Sequence, residues 1–371
     1  MNRPIKGIII FAGLCLTAGS SIGAMSHPLR QMVPSYDGYG LDMVVDLPTG
    51  VAPAQVEKVV VLLHGSGPQS MDEDLGPVST GTAKNRFFVD VSDALTKSGF
   101  AVLRYNKRSF QVVDTLRKDP AFKKSPVIHE LLSDPLGCYI KDAIHFAKWA
   151  KKKYPNAKIY LLGHSEGGYI ALQIADREKD VSGVGLISFY AVSQDALLFE
   201  QTTYRPLSIF DGLDRDRDGA LSPGELSGED IISKSLSRQL ALLDIDGDGV
   251  MESSEFMAGN FSNLLADDPP GVDAFRRKEA ELPKTATLLR NCKTKVAIFQ
   301  GEWDNQVPSY QAKAADIANR TQWKKTNIMF RYFPKLGHAL DVRSDEHDLT
   351  FGHPERTALQ TMSDDLKKFW R

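Results

Sequence analysis

The sequence predicts an α/β fold, a mostly parallel sheet flanked by helices and interrupted by one helical insertion. Three observations predict it. Short apolar, β-branched runs alternate with amphipathic stretches of helical length, as in a sheet buried on both faces. Glycine-rich turns follow several of these runs. Between about Asp195 and Arg290 the alternation stops, and afterwards it resumes.

The chain opens with a segment that reads as an address. Arg3 and Lys6 give a positive start, Gly7 to Thr17 is apolar, and small residues run through Ala24. This is the layout of a secretory signal peptide over residues 1–24, with Ile22-Gly23-Ala24 as a plausible cleavage site. The apolar stretch is short for a membrane span, which takes about 20 residues, although an uncleaved anchor is the alternative. Leu14 before Cys15 does not suit a lipidated cysteine. The mature chain is expected to be exported, to the periplasm or beyond, with no stable membrane span. Cys138 and Cys292 would then remain, either paired or as two separate buried thiols. A net charge of -2 in 371 residues gives no reason to expect a nucleic-acid partner.

The core pattern divides into residues 25–194 and 291–371 around an insertion at 195–290. Strands are expected at Lys58–Leu63, Phe100–Tyr105, Lys158–Leu162, Val184–Tyr190, Lys295–Gln300 and Ile328–Phe333. Helices are expected at Phe87–Lys97, Ile140–Lys152, Tyr169–Asp176, Ser309–Asn319 and Glu355–Trp370.

Gly163-His164-Ser165-Glu166-Gly167 matches G-x-S-x-G between a strand and a helix. That context makes Ser165 the candidate nucleophile, because a serine on so sharp a turn needs small neighbours. A serine hydroxyl also needs a base and an oriented acid. Asp304 follows the strand ending at Gln300, and His338 follows the strand ending at Phe333. Both fall past strand C-terminal ends, where open α/β sheets place their sites. Glu302 competes for the acid role, and His347 and His353 for the base. His129, His145 and His164 read as structural, and His64 as shaping its loop. The oxyanion needs two N–H donors. The Glu166 amide is one, and the Ser66 amide in His64-Gly65-Ser66-Gly67-Pro68 is the other, with Gly67 as a substitute.

These segments, with Val102-Leu103-Arg104-Tyr105-Asn106-Lys107-Arg108, Gln300 to Pro308 and Leu336-Gly337-His338, resemble the bacterial α/β-hydrolase superfamily. The resemblance lies near the serine-aminopeptidase-like and dienelactone-hydrolase-like esterases. It implies the α/β-hydrolase fold and hydrolysis of a small ester or related acyl substrate through an acyl-enzyme. Dienelactone hydrolases proper use cysteine, so Ser165 favours the esterase side. No organic cofactor is implied.

The insertion carries two acidic loops. Asp214, Asp216 and Asp218 stand at positions 1, 3 and 5 of a twelve-residue calcium loop, Gly219 at 6, Ala220 at 7, Ser222 at 9 and Glu225 at 12. Asp244, Asp246, Asp248, Gly249, Val250, Glu252 and Glu255 repeat the pattern. Alternating carboxylates in a tight turn converge on one centre, the position-7 carbonyl adds an oxygen, and the last glutamate closes the site. Leu221 and Met251 at position 8 would pair the loops, with a helix over Ile231–Leu243 between them. The insertion therefore resembles a paired EF-hand module binding two Ca2+ ions in a structural role, set as a helical cap on the hydrolase core. Two other readings stay open: a serine peptidase, aminopeptidase or acyltransferase on the same triad, and a calcium-dependent binding protein with an inactive core.

Overall fold

The computed structural model describes residues 30–76, 84–264, 271–346, 348 and 351–371. The expected signal segment and His347 lie outside them. Eight strands form one sheet in the order β1-β2-β4-β3-β5-β6-β9-β10. They are β1 (Gln31–Pro34), β2 (Gly40–Asp46), β3 (Lys58–Leu63), β4 (Ala101–Tyr105), β5 (Lys158–His164), β6 (Val181–Ile187), β9 (Lys295–Gly301) and β10 (Ile328–Phe333). β2 runs antiparallel to both its neighbours, and every pairing from β4 to β10 is parallel.

Parallel strands buried on both faces need apolar residues at every position. β3 shows this: Val59, Val61 and Leu63 join one core, and Val60 and Leu62 the other. The first core is closed by α4 (Pro135–Lys153) and α5 (Glu166–Ala175), through Leu136, Phe146 and Ile170 among others. The second is closed by α1 (Phe87–Lys97) and α13 (Arg356–Phe369), through Phe87, Leu95, Leu359 and Met362. Trp370, just past α13, stacks on Tyr160 with ring centroids 4.3 Å apart.

The six expected strands are present; the bounds of β4, β5 and β9 differ by one or two residues at one end, and β6 is shifted by three at both. β6 stops at Ile187 rather than Tyr190, because Ser188 takes φ 50 and turns the chain out of the sheet. β1 and β2 were not anticipated; β1 is a four-residue edge strand, and β2, inside the sheet, carries Gly40, Asp42 and Asp46 among its apolar residues. Also unanticipated were α2 (Arg108–Lys118) and α3 (Pro126–Ser133). Cys138 and Cys292 are separate buried thiols, one near the Tyr36 hydroxyl and the other near Asp176.

Within 195–290 the only described strands are β7 (Ala220–Leu221) and β8 (Met251–Glu252), which pair antiparallel with Leu221 opposite Met251. Helices α7 (Arg205–Leu213), α8 (Ile231–Leu243) and α9 (Ser253–Leu264) flank them. Phe210, Leu221, Leu226, Leu236, Leu243 and Met251 form a small core of their own. The segment before α7 comprises α6 (Gln194–Phe199) and a π-helical turn, Glu200–Tyr204. The segment after α9 comprises α10 (Val272–Glu281) and α11 (Thr285–Asn291), and α12 (Tyr310–Ala318) follows β9. Among the described residues no helix is long and apolar enough to cross a membrane.

Candidate active site

Parallel register brings the C-terminal ends of β3, β5, β6, β9 and β10 to one edge. Leu63 pairs with Gly163, His164 with Ile187, Ile187 with Phe299 and Gly301 with Phe333. Ser165, Asp304 and His338 follow β5, β9 and β10, which end at this edge.

Ser165 stands between β5 and α5 at φ 52, ψ -119. This is a strained conformation for a residue with a side chain, of the kind that collects at functional sites. The turn is held by the Ser165 N–H donating to Ile187 O at 2.8 Å and the Gly168 N–H to Ser165 O at 2.9 Å. Its glycines are steric necessities. A Cβ on Gly163 would sit 2.1 Å from Gly167 C, and one on Gly167 would sit 2.1 Å from Leu63 O.

Asp304 and His338 meet as expected. His338 Nδ1 lies 3.0 Å from both Asp304 oxygens, and both residues are buried. Asp304 also accepts the Gln306 and Val307 N–H groups at 2.9 and 2.8 Å and the Gln300 amide at 2.8 Å. Burial pushes its carboxyl up, but His338 and these donors outweigh burial and hold it below the ordinary value. With Asp304 on Nδ1, His338 keeps Nε2 for proton exchange. The competitor Glu302 pairs instead with Lys313 at 2.8 Å.

The loop after β3 borders Ser165: a Cβ on Gly65 would lie 3.4 Å from Ser165 Cβ. Gly65 N–H donates to Glu73 Oε1 at 2.7 Å, and Gly65 O accepts from Lys107 Nζ at 2.7 Å. In a trans peptide the next N–H, that of Ser66, points away from that carbonyl. The same ammonium donates to Glu166 Oε1 at 2.7 Å. Lys107 thus holds together the two segments whose amides are the oxyanion candidates. The sequence had marked Lys107 only as part of a resembling segment; nothing local reveals a partner 59 residues away. His64 is fully buried, and burial pushes its imidazole down to about 4, which leaves it neutral and unsuited to be the base.

The acidic loops are organised apart from this edge. The carboxylates of Asp214, Asp216 and Asp218 lie within 4.8 Å of one another, as do those of Asp244, Asp246 and Glu255, and of Asp246, Asp248 and Glu252. Glu225 and Glu255 fold back over their own loops. Glu225 accepts from the Ser222 and Arg215 N–H groups, and Glu255 from those of Ile245 and Glu252. The Ser222 and Arg215 N–H groups hold Glu225 down to about 2, while Glu255 pushes its neighbour Glu252 up to about 7. Gly219 and Gly249 take φ 88 and 93, the sharp reversal each loop requires.

Comparison with known proteins adds to this geometry. Residues 81–199, which include the Ser165 turn, match the serine aminopeptidase (S33) family. Esterase EstD of Thermotoga maritima is 33% identical over 165 residues, 44% of this chain and 34% of that protein. The chain thus spans about a third of the length of that curated relative. Among solved structures, Est1E from Butyrivibrio proteoclasticus is 16% identical, with 92% of this chain and 96% of that one covered at TM-score 0.48. The esterase domain from a Rhodothermus marinus protein is 14% identical, with 93% and 100% covered at TM-score 0.48. At these scores neither structure bears on the chemistry. The family match covers the turn that bears Ser165 and about a third of the chain, and the chain is similar to serine aminopeptidases of the S33 family over that stretch.

Proposed function

We propose that this chain is an exported serine hydrolase that cleaves small carboxylic esters through an acyl-enzyme, with calcium bound in its insertion. The observation that carries the hydrolase reading is the buried Asp304–His338 pair at the sheet edge that also bears Ser165 on its strained turn. His338 takes the Ser165 proton as the oxygen attacks the acyl carbon, and Asp304 holds the imidazole in the required tautomer. The Ser66 and Glu166 amides stabilise the oxyanion. His338 then returns the proton to the departing alcohol and later activates water for deacylation.

The acidic residues fit calcium. Asp214, Asp216, Asp218, the Ala220 carbonyl, Ser222 and Glu225 would hold one ion. Asp244, Asp246, Asp248, the Val250 carbonyl, Glu252 and Glu255 would hold a second. Bound calcium would neutralise the crowded carboxylates and brace the insertion, with no part in the bond-breaking steps. Export rests on the character of residues 1–24.

The test is hydrolysis of short p-nitrophenyl esters together with labelling by a fluorophosphonate probe. Ser165→Ala is expected to abolish labelling and to lower turnover by about 10⁴-fold or more. Full activity in that variant would refute the nucleophile. Serine aminopeptidase activity is the second reading, favoured by the family that residues 81–199 match. Faster cleavage of aminoacyl p-nitroanilides than of esters would select it.

A further inference from the structure

His164 precedes the nucleophile and has no part in the mechanism above. The residue is 2% exposed. Nδ1 lies 3.1 Å from Glu73 Oε1, and Nε2 lies 3.2 Å from the backbone carbonyl oxygen of His338. A carbonyl oxygen only accepts, and an ionised carboxylate only accepts. A neutral imidazole has one N–H and one lone pair, so either tautomer sets a lone pair against an acceptor. Protonating Glu73 instead would weaken its Oε1 as an acceptor, yet that same oxygen also takes the Gly65 N–H at 2.7 Å. The arrangement is best satisfied by an imidazolium beside a carboxylate.

We propose that Glu73 and His164 form a buried ion pair that positions the catalytic groups by tying together the oxyanion loop, the nucleophile turn and the base loop. The inference rests on the reading of Ser165 and His338 as nucleophile and base. Each tie is a named bond. Glu73 holds Gly65 of the oxyanion loop, His164 is continuous with Ser165, and His164 Nε2–H holds the His338 backbone. A buried ion pair is a poor device for stability alone, because desolvation offsets the attraction. Glu73 moreover adopts φ 44, a strained conformation for a glutamate, to place its carboxyl here.

The pair also predicts a pH response. The groups facing His164 are Glu73, His64 and Gly65 from the segment after β3, Phe87 from α1, and Asp304 and His338 from the loops after β9 and β10. Burial pushes the His164 imidazole down, but Glu73 and the His338 carbonyl more than compensate and raise it. Burial likewise pushes Glu73 up, and His164 holds it below its ordinary value. With a raised value, the imidazolium persists to higher pH than a free imidazole holds its proton, and it is lost as pH rises through that value. Its loss breaks one of the two ring bonds and produces an alkaline limb in kcat.

Glu73→Gln keeps the shape and removes the charge. One oxygen serves both Gly65 and His164, so the amide can preserve only one of those bonds together with the His338 tie. The expected result is a kcat lower by roughly tenfold to 10²-fold with little change in KM. The alkaline limb should move to lower pH, and Glu73→Asp should recover part of the loss. If wild type neither labels nor turns over esters, the serine-hydrolase reading fails. If wild type is active and Glu73→Gln folds with kcat and alkaline limb unmoved, the positioning pair is overturned. Should Glu73→Gln not fold, nitrogen NMR of wild-type His164 decides. Two protonated ring nitrogens at neutral pH support the pair, and a neutral imidazole pattern overturns it.

Discussion

Lys107 shows how much one buried side chain can organise. The residue is 4% exposed, and its ammonium bonds Gly65 O and Glu166 Oε1 at 2.7 Å each and lies 4.4 Å from the Tyr139 ring centroid. Lys107→Met would fill similar space and leave the Glu166 carboxylate buried without its cation. Removing one partner of a buried pair costs about 3–5 kcal/mol. The Gly65–Ser66 peptide would also lose what holds its orientation, so kcat is expected to fall by about 10²-fold, the loss that follows one missing oxyanion donor. Urea unfolding and steady-state kinetics measure the two effects separately. Unchanged kcat in a folded variant would remove Lys107 from the site. The triad candidates were legible because each follows a strand end in an ordered motif. Lys107, Glu73 and the role of His164 were not, because their partners are distant in the chain and only folding brings them within bonding distance.

At the scale of elements, the strand–turn–helix unit of β5 and α5 is governed by backbone clearance. α5 begins against the end of β3, and Gly167 is the contact. Gly167→Ala would place its new carbon 2.1 Å from Leu63 O, an atom fixed by the sheet. The helix start must then shift, at about 3 kcal/mol or more of overpacking. The expected outcome is a lower melting temperature and weakened fluorophosphonate labelling, while Gly212→Ala, whose Cβ meets nothing within 4 Å, should change neither. Retained labelling in Gly167→Ala would show that the turn is more tolerant than its geometry implies. Strand identities were legible because buried parallel strands are apolar throughout. β1 and β2 were not: β1 is a four-residue edge strand, and Gly40, Asp42 and Asp46 leave β2 with a weak apolar pattern.

At the scale of the whole molecule, the middle of the insertion has its own small core, while Leu197, Phe275 and Leu289 towards its two ends join the core on one face of the main sheet. Gln201 in the π-helical turn donates to Gln306 O at 2.6 Å, and Gln306 lies in the loop whose N–H groups hold Asp304. Glu279 of α10 accepts the Gln194 N–H at 2.9 Å. Calcium is therefore expected to protect the middle of the insertion first. At free calcium tenfold above the dissociation constant, each site would add about 1.4 kcal/mol. Chelation should lower the melting temperature and open residues 195–290 to protease. Asp214→Ala and Asp244→Ala should each remove part of the protection. Indifference of melting and proteolysis to calcium would sink the calcium assignment.

The sequence by itself determined the α/β fold class, the two acidic loops and the placing of Ser165, Asp304 and His338 after strand ends, because each is written in local periodicity or short spacing. The tertiary structure decided which carboxylate meets His338, which way the Gly65–Ser66 peptide faces, and that His164 lies between two acceptors. Those outcomes depend on parallel register, which brings the ends of strands far apart in the chain to one edge. They depend also on burial, which leaves a polar group only the partners that folding supplies.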